Sequence, residues 1–434
     1  LSEAPRQQSR FSFAFDRTVV ATVLTGFAGQ AALIIPGVLI ARALNPYFRG
    51  QLALIVAIAV STSYIISLGM PTAVAFATAR EGGSALGALR SIRRWLIAQL
   101  VTGFVLTAMV IAFAVNGSGR SDTFALIAVP PATVALMVVM YGLAVLQGRN
   151  RFAAFNTLRL LPAVGYAIGA IAVVLAGRLT VSAVVVAWSF TTCFAALVIA
   201  IYVTRVLRDD DGKTADSREL VAYGLKAQIG TASPLENFQI DQLIVGAIAG
   251  PLALGYYVIA AAFTNLPRFI AQSLGMVVFP RVAGRLSSGG ARLIASQALW
   301  ATVLLAGGTV LLLEISLGVL VPFFFGDDYT SSIEVARIML LASLCFSLRR
   351  VLGDSLRGAN KPLPGTIAEI IAWIVYGSLV VPLTLSYDAV GAAWALVIGA
   401  AASLTYISWA ARRVARALPT ISVPVNDSPL TPTP

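Results

Sequence analysis

Apolar residues in this chain gather in long runs separated by short polar or turn-forming segments. A bilayer core requires roughly 20 apolar residues per helix. Twelve stretches meet that length: 18–41, 51–78, 95–115, 123–146, 153–176, 180–204, 220–248, 251–280, 294–322, 334–356, 364–386 and 389–411. The pattern predicts an all-α polytopic membrane protein with twelve transmembrane helices, and an even number puts both termini on one side. The first run is longer than the apolar core of a signal peptide and eleven more follow it, so 18–41 reads as a retained helix. The segment 417–434 is rich in Pro, Ser and Thr and reads as a disordered cytoplasmic tail.

The basic residues test that threading independently, because cytoplasmic loops retain Lys and Arg. Of the 31 basic residues, 25 fall in the termini and alternate loops, among them Arg90, Arg149, Arg208, Lys213, Arg281, Arg357 and Arg412. Arg42, Arg49, Arg120, Arg178 and Arg337 fall in the opposite set, and Arg268 lies deep within a span. The bias places both termini in the cytoplasm. The longest polar interruption, 205–219, divides six spans from six. The predicted organisation is an N-terminal lobe 1–204, a cytoplasmic linker 205–219 read as solvated, a C-terminal lobe 220–416 and the tail.

Composition narrows the function. Charged residues make up 12% of the 434, 58% are apolar, and mean hydropathy is +0.86; a soluble domain carries about a quarter charged residues. The net charge of +12 sits in loops between apolar runs, where topology accounts for it and no nucleic acid is implied. There is no histidine, and Cys193 and Cys345 lie far apart inside apolar stretches, so neither imidazole relays, metal sites nor a disulfide scaffold is supported. A Walker-type phosphate loop is missing, as is a nucleophile with a positioned base. The chain reads as a non-enzyme without a cofactor, and a pump of this kind would couple to Na+ or H+.

The two halves resemble each other weakly at an offset of 205: PGVLIARALNPYFRG at 36–50 aligns with DQLIVGAIAGPLALG at 241–255, pairing Pro46 with Pro251 and Gly50 with Gly255. A parallel duplication of six helices would relate the lobes by an axis along the membrane normal, an arrangement suited to rocking about a central cavity. Ionised side chains at mid-bilayer cost roughly 2.5 to 3.5 kcal/mol and normally face protein or water. Glu236, Asp241 and Arg268 pass that depth test, beside the interruptions Ser233-Pro234 and Asn265–Pro267. Arg268 either pairs with Glu236 to hold two spans in register or lines an electropositive cavity for a phosphate-bearing substrate. Further candidates for such a cavity are Arg42, Arg49, Arg159, Lys226 and Asn265, with Arg349 near the cytoplasmic face. Asp241, Glu314 and Glu369 join Glu236 as candidates for ion coupling or structural pairing.

The motifs LIARALNPYFRG (39–50), LGMPTAVA (68–75), DQLIVGAIAGPLALGYYVIA (241–260), VVFPRVA (277–283), FGDDY (325–329), LRGANKP (356–362) and VGAAWA (390–395) resemble, in this order, Wzx-type polysaccharide and O-antigen flippases. That family belongs to the multidrug/oligosaccharidyl-lipid/polysaccharide exporter superfamily. The resemblance implies a MATE/MurJ-like fold of two pseudo-symmetric six-helix lobes in the bacterial cytoplasmic membrane. It implies alternating-access translocation of isoprenyl-pyrophosphate-linked oligosaccharide for cell-surface polysaccharide, lipopolysaccharide included. A polysaccharide polymerase or ligase is the expected membrane partner. The rival readings are a MATE-like ion-coupled exporter, a peptidoglycan lipid-precursor flippase and a non-transporting assembly scaffold. The first six spans contain no carboxylate, which favours an anionic substrate over an organic cation.

Overall fold

The computed structural model describes residues 17–79, 83–116, 123–177, 179–210, 216–231, 239–284, 291–359 and 361–417. These residues are helical apart from short turns. Away from water, a chain must satisfy its backbone amides within its own segment, and the helix does so. The elements are α1 (Arg17–Ala43), α2 (Pro46–Ser67), α3 (Met70–Ala79), α4 (Ala85–Ser91), α5 (Arg93–Asn116), α6 (Thr123–Gly148), α7 (Phe152–Leu158) and α8 (Leu161–Leu175). They continue with α9 (Val181–Val206), α10 (Ser217–Thr231), α11 (Ile240–Ile248), α12 (Gly250–Gly284), α13 (Ala291–Thr302), α14 (Gly308–Phe325), α15 (Ser332–Gly358) and α16 (Leu363–Ala417).

Among the described residues, seven helical stretches are long and apolar enough to cross a bilayer: Pro46–Ser67, Arg93–Phe113, Ile127–Gly148, Phe152–Leu175, Val181–Val206, Arg292–Phe325 and Leu363–Ala415. This is a multi-pass membrane protein. Its exposed faces carry large apolar residues, including Phe113, Leu175, Phe190, Ile315, Val319 and Ile374. Lipid accommodates such faces where water would not. The tail beyond 417 lies outside the described residues.

Several predicted spans are broken, each for an identifiable reason. The run 51–78 divides into α2 and α3, because Leu68 (φ 48) and Gly69 (φ 68) both take the left-handed conformation. Leu68 caps α2 through its amide to the Ile65 carbonyl. The run 153–176 divides into α7 and α8 just before Pro162. In 294–322 a π-turn at Val303–Gly307 joins α13 to α14. The single helical run α16 contains a break at Tyr387 and Asp388, the two residues between the predicted spans 364–386 and 389–411.

Two compact units emerge. The first comprises Leu1–Phe263, Ser316–Ile338 and Gly377–Ala395; the second comprises Thr264–Ile315, Met339–Tyr376 and Leu396–Pro434. This division cuts across the sequence halves, since α12, α14, α15 and α16 each pass from one unit into the other. In the first unit α6 and α9 are the central pair, flanked by α2, α3, α5 and α8. Their core holds Met70, Tyr141, Val145, Leu146, Ile199 and Val203 at one end and Ile40, Leu52, Ile58, Val129, Val184 and Trp188 at the other. The second unit packs Ala271, Val278, Val282 and Val351 together, and separately Leu352, Leu356, Ala368 and Ile407.

The segment 205–219 is not wholly solvated. Asp210 has a side chain only 2% exposed. Its carboxylate accepts from the Ser84 hydroxyl, from the amides of Ala85 (2.9 Å) and Leu86 (3.3 Å), and from the Arg149 guanidinium (3.2 Å). A carboxylate at a helix start satisfies orphan amides and complements the partial positive charge there. The acidic run in this segment therefore contains one residue that pins the chain leaving α9 to the start of α4. Replacing Asp210 by Ala strands buried donors, and we expect a loss of about 2 kcal/mol of stability, read as a lowered thermal unfolding midpoint of the purified protein.

Candidate functional site

In the first unit the α1–α2 turn meets the α11–α12 turn. Asn45 starts α2 by accepting the Phe48 amide at 3.1 Å, with Pro46 in the first helical position, where a missing amide costs nothing. Gly250, at φ +83, turns the chain into α12, and Pro251 follows. The two helix starts cross at close range. A β-carbon on Gly50 would overlap the Pro251 carbonyl, and one on Gly255 would overlap the Pro46 carbonyl. The contact is reciprocal: each Pro-x-x-x-Gly turn lays its proline carbonyl on the other's glycine. Only hydrogen at Cα permits backbones to approach this closely, bringing each Cα–H against a carbonyl oxygen.

Two further contacts bind this junction, both at helix C-termini, where carbonyls lack intrahelical donors. The Arg42 guanidinium donates from Nε to the Phe324 carbonyl at 2.9 Å and from a terminal nitrogen to that of Phe323, at the end of α14. The Tyr329 hydroxyl, buried in the turn after α14, donates to the Leu44 carbonyl at 2.9 Å, at the end of α1. Burial pushes the Tyr329 phenol up to about 12, against the opposing pull of Arg49, so it remains a donor throughout the physiological range. The Arg49 guanidinium is half-buried and lies in electrostatic reach of Tyr166 and Tyr329. Its Nε has no hydrogen-bond partner among the described residues.

Deeper in the same unit, Asp241 in the first turn of α11 is buried and accepts from the Tyr257 hydroxyl at 2.9 Å. The break between α2 and α3 exposes carbonyls that side-chain amides satisfy. Gln99 Nε2 donates to the Ser67 carbonyl at 3.1 Å, and Tyr141 supports Gln99 from behind at 2.5 Å. Gln228 Nε2 donates to the Tyr64 carbonyl at 3.0 Å. Beside it α10 packs on α3, with Phe76 and Tyr223 stacked at 4.1 Å and Gly69 against the Gly224 backbone. Sequence reasoning missed Gln99, Tyr141 and Gln228. Two uncharged amides and a phenol set inside apolar runs were the available signal.

In the second unit Arg349 is 8% exposed at its side chain and forms an ion pair with Glu369, and its guanidinium stands 5.4 Å from the centre of the Phe346 ring. Asp354 pairs with Arg357 and rests against Gly275, where an added β-carbon would push its carboxylate aside. The Ser347 hydroxyl donates to the Pro267 carbonyl at 3.3 Å, next to Arg268.

The sequence candidates are thus dispersed. Arg42, Arg49 and Asp241 belong to the first unit, with Arg42 on helix-end carbonyls. Arg159 is half-buried near the Phe155 ring, and Lys226 is exposed on α10. Asn265 is exposed on α12, while Arg268 and Glu314 are half-buried and engaged in polar or electrostatic contacts of their own. Glu369 is held by Arg349. Glu236 lies outside the described residues, and so does its expected pairing with Arg268. Among the described residues no group of three or more His, Cys, Asp and Glu is placed to hold a metal.

The family model described as polysaccharide biosynthesis protein matches residues 17–284, more than half of the chain. The chain belongs to the polysaccharide biosynthesis protein family. No curated protein matches it significantly. Among solved structures it is similar to the lipid II flippase MurJ in an inward closed conformation, with a TM-score of 0.71 at 14% identity over 91% of this chain and 87% of that one. It is similar also to an inward-facing multidrug resistance MATE transporter of the MOP superfamily, with a TM-score of 0.72 at 13% identity over 90% and 95%. The MATE transporter DinF-BH in complex with R6G gives 0.66 at 15% over 94% and 98%. The fold is therefore the one these membrane transporters share.

The buried Arg349–Glu369 pair yields a stability prediction. Removing one member leaves an uncompensated charge, so Arg349→Ala should cost about 3 kcal/mol. The double variant with Glu369→Ala should recover part of that loss. Thermal unfolding of the two single variants and the double variant measures the coupling.

Proposed function

We propose that this protein is an alternating-access flippase that carries isoprenyl-pyrophosphate-linked oligosaccharide across the bacterial cytoplasmic membrane for cell-surface polysaccharide synthesis. The observation that carries the reading is a charge asymmetry within a chain of this family: the first six predicted spans hold no carboxylate, while Arg42, Arg49 and Arg159 stand in or beside them. A cavity walled by such spans attracts a pyrophosphate and repels an organic cation. The family model and the shared fold with a lipid II flippase support the same substrate class.

The physical task requires no bond chemistry. An oligosaccharide and its phosphates cannot cross roughly 30 Å of hydrocarbon cheaply, whereas the lipid tail can stay in lipid while a lateral opening admits the head. Twelve helices in two six-helix lobes, with both termini in the cytoplasm, would provide a wet path with greasy outer faces. Arg268, Lys226 and Asn265 would contribute to headgroup binding along that path. Asp241, buried beside the Tyr257 hydroxyl, is a carboxylate that Na+ or H+ could load, and Glu369 would become one only on release from Arg349. Glu314 and Glu236 complete the set. A membrane polymerase or ligase would receive the translocated chain.

The test is reconstitution in proteoliposomes with defined lipid-linked oligosaccharides, scored for transfer between leaflets with and without Na+ and H+ gradients. Transfer of these lipids, and no uptake of organic cations, is expected; the reverse pattern would establish the exporter reading. Arg268→Ala should insert normally and slow leaflet transfer by about tenfold, the equivalent of one lost charge-assisted contact. Equal transfer by variant and parent would remove Arg268 from the substrate path. Accessibility labelling should also find Arg90→Cys and Lys213→Cys on the same side of the membrane.

A further inference from the structure

The C-terminal part of α16 divides into two faces. Ile407, Ala410, Ala411 and Val414 recur at helical spacing and turn inward. Ile407 belongs to the buried cluster with Leu352, Leu356 and Ala368, Ala411 and Val414 pack against that cluster, and Ala410 is buried. Tyr406, Trp409, Arg412 and Arg413 recur at the same spacing on a different face. Trp409 is 48% exposed, and Arg412 and Arg413 are exposed as well. The half-buried Tyr406 sets its ring 5.9 Å from that of Trp409, and the Arg413 guanidinium stands 3.9 Å from the centre of the indole. An exposed indole near the end of a membrane helix sits at the border of acyl chains and headgroups. A guanidinium stacked on that ring is held at the depth of the lipid phosphates instead of extending into water.

Two simpler roles for these cations fall short in magnitude or geometry. Basic residues in a last helical turn complement the macrodipole, but its carbonyl end carries only about half an elementary charge. Arg412, Arg413 and Arg416 bring three charges, and the sequence has no Asp or Glu from 389 to 426. Among the described residues no carboxylate pairs with Arg412 or Arg413. A topology signal needs charge alone, and the start of α5 shows that case: Arg93, Arg94 and Trp95 are all exposed there. Consecutive residues of a helix do not face each other. Among the described residues no guanidinium stands over the Trp95 ring. The same residue types thus form a stack on α16 and only a basic end on α5.

We propose that Trp409, Arg412 and Arg413 form a binding site for an anionic phospholipid in the leaflet where α16 emerges. The two guanidinium groups take the phosphodiester through charge-assisted hydrogen bonds. Trp409 lies along the first carbons of the acyl chains, with Tyr406 behind it. An ethanolamine headgroup brings its own ammonium against the arginines, so the site prefers a phosphoglycerol headgroup. A lipid is the fitting occupant because a free anion leaves the indole face uncovered, whereas acyl chains cover it. The predicted threading makes this the cytoplasmic leaflet. The site itself needs only a chain that crosses a bilayer, and it stands whatever cargo the protein carries.

The experiment is native mass spectrometry of the full chain in detergent, titrated with phosphatidylglycerol or phosphatidylethanolamine of matched acyl chains. The readout is the ratio of the two affinities for the first lipid bound. The parent should prefer phosphatidylglycerol by about tenfold, the effect of two basic side chains on an anionic headgroup. Arg412→Gln with Arg413→Gln should bring the ratio near unity, and Trp409→Leu should weaken phosphatidylglycerol binding by about threefold. Arg93→Gln with Arg94→Gln should keep the parental ratio. No preference in the parent, or a parental ratio in the α16 double variant, would overturn the proposal. An equal fall in the α5 double variant would also overturn it, because any basic helix end would then suffice. Displacement of the lipid by millimolar inorganic phosphate would replace the lipid site with a free-anion site. Should the glutamine variant fail to insert, Arg412→Lys with Arg413→Lys decides the matter, since it keeps the charge and loses the planar fork. A fall of about threefold in the ratio then supports the site, and a parental ratio overturns it.

Discussion

Where helices break among the described residues, backbone amides and carbonyls must find partners in a setting where water is scarce. Irregular backbone is tolerated at membrane depth only where protein or a wet cavity supplies the missing partners. The break at Leu68-Gly69 shows how that requirement organises the residues around it. Two carbonyls near the end of α2 receive donors from Gln99 and Gln228, which come from α5 and α10, and Tyr141 of α6 holds Gln99 in place. One discontinuity thereby fixes the relation of four helices, and amides do so without the desolvation penalty of a charge. The same rule explains why Arg42 and Tyr329 seek helix C-termini, which are the other carbonyls left without partners.

Much of this was legible in the residues. Runs of about 20 apolar residues mark helices whatever the tertiary arrangement, because in lipid the helix is selected by the solvent. The two-residue interruption at Tyr387 and Asp388 was visible as a polar pair between apolar runs, and the structure places its break there. The Pro46/Pro251 and Gly50/Gly255 correspondence was also visible, as an alignment. That the aligned residues touch was not, since an alignment carries no information about which surfaces meet.

Other features were hidden for physical reasons. The Leu68-Gly69 break sits inside a continuous apolar run, and hydropathy does not register a backbone angle. Asp210 looked like one acidic residue among several in a solvated linker; its burial depends on the start of α4, a helix distant in sequence. Glu369 and Arg349 were weighed as an ion-coupling carboxylate and a headgroup cation, each by its own depth. Their pairing comes from α15 lying beside α16, and it compensates most of the charge that made each one conspicuous.

The pairing logic also separates residues able to work from those already occupied. A guanidinium bound to a carboxylate, as Arg349 is, must give up that partner before it can bind a phosphate, and breaking a buried ion pair costs more than a headgroup contact returns. A guanidinium bound to neutral carbonyls gives up much less, because those carbonyls can turn to water and the cation gains a full anionic charge in exchange. Arg42 belongs to the second kind, and Arg49, with an Nε that has no partner among the described residues, is freer still. On the proposed reading, the arginines of the first unit best suited to an anionic cargo are therefore those at the crossing of the two repeated turns.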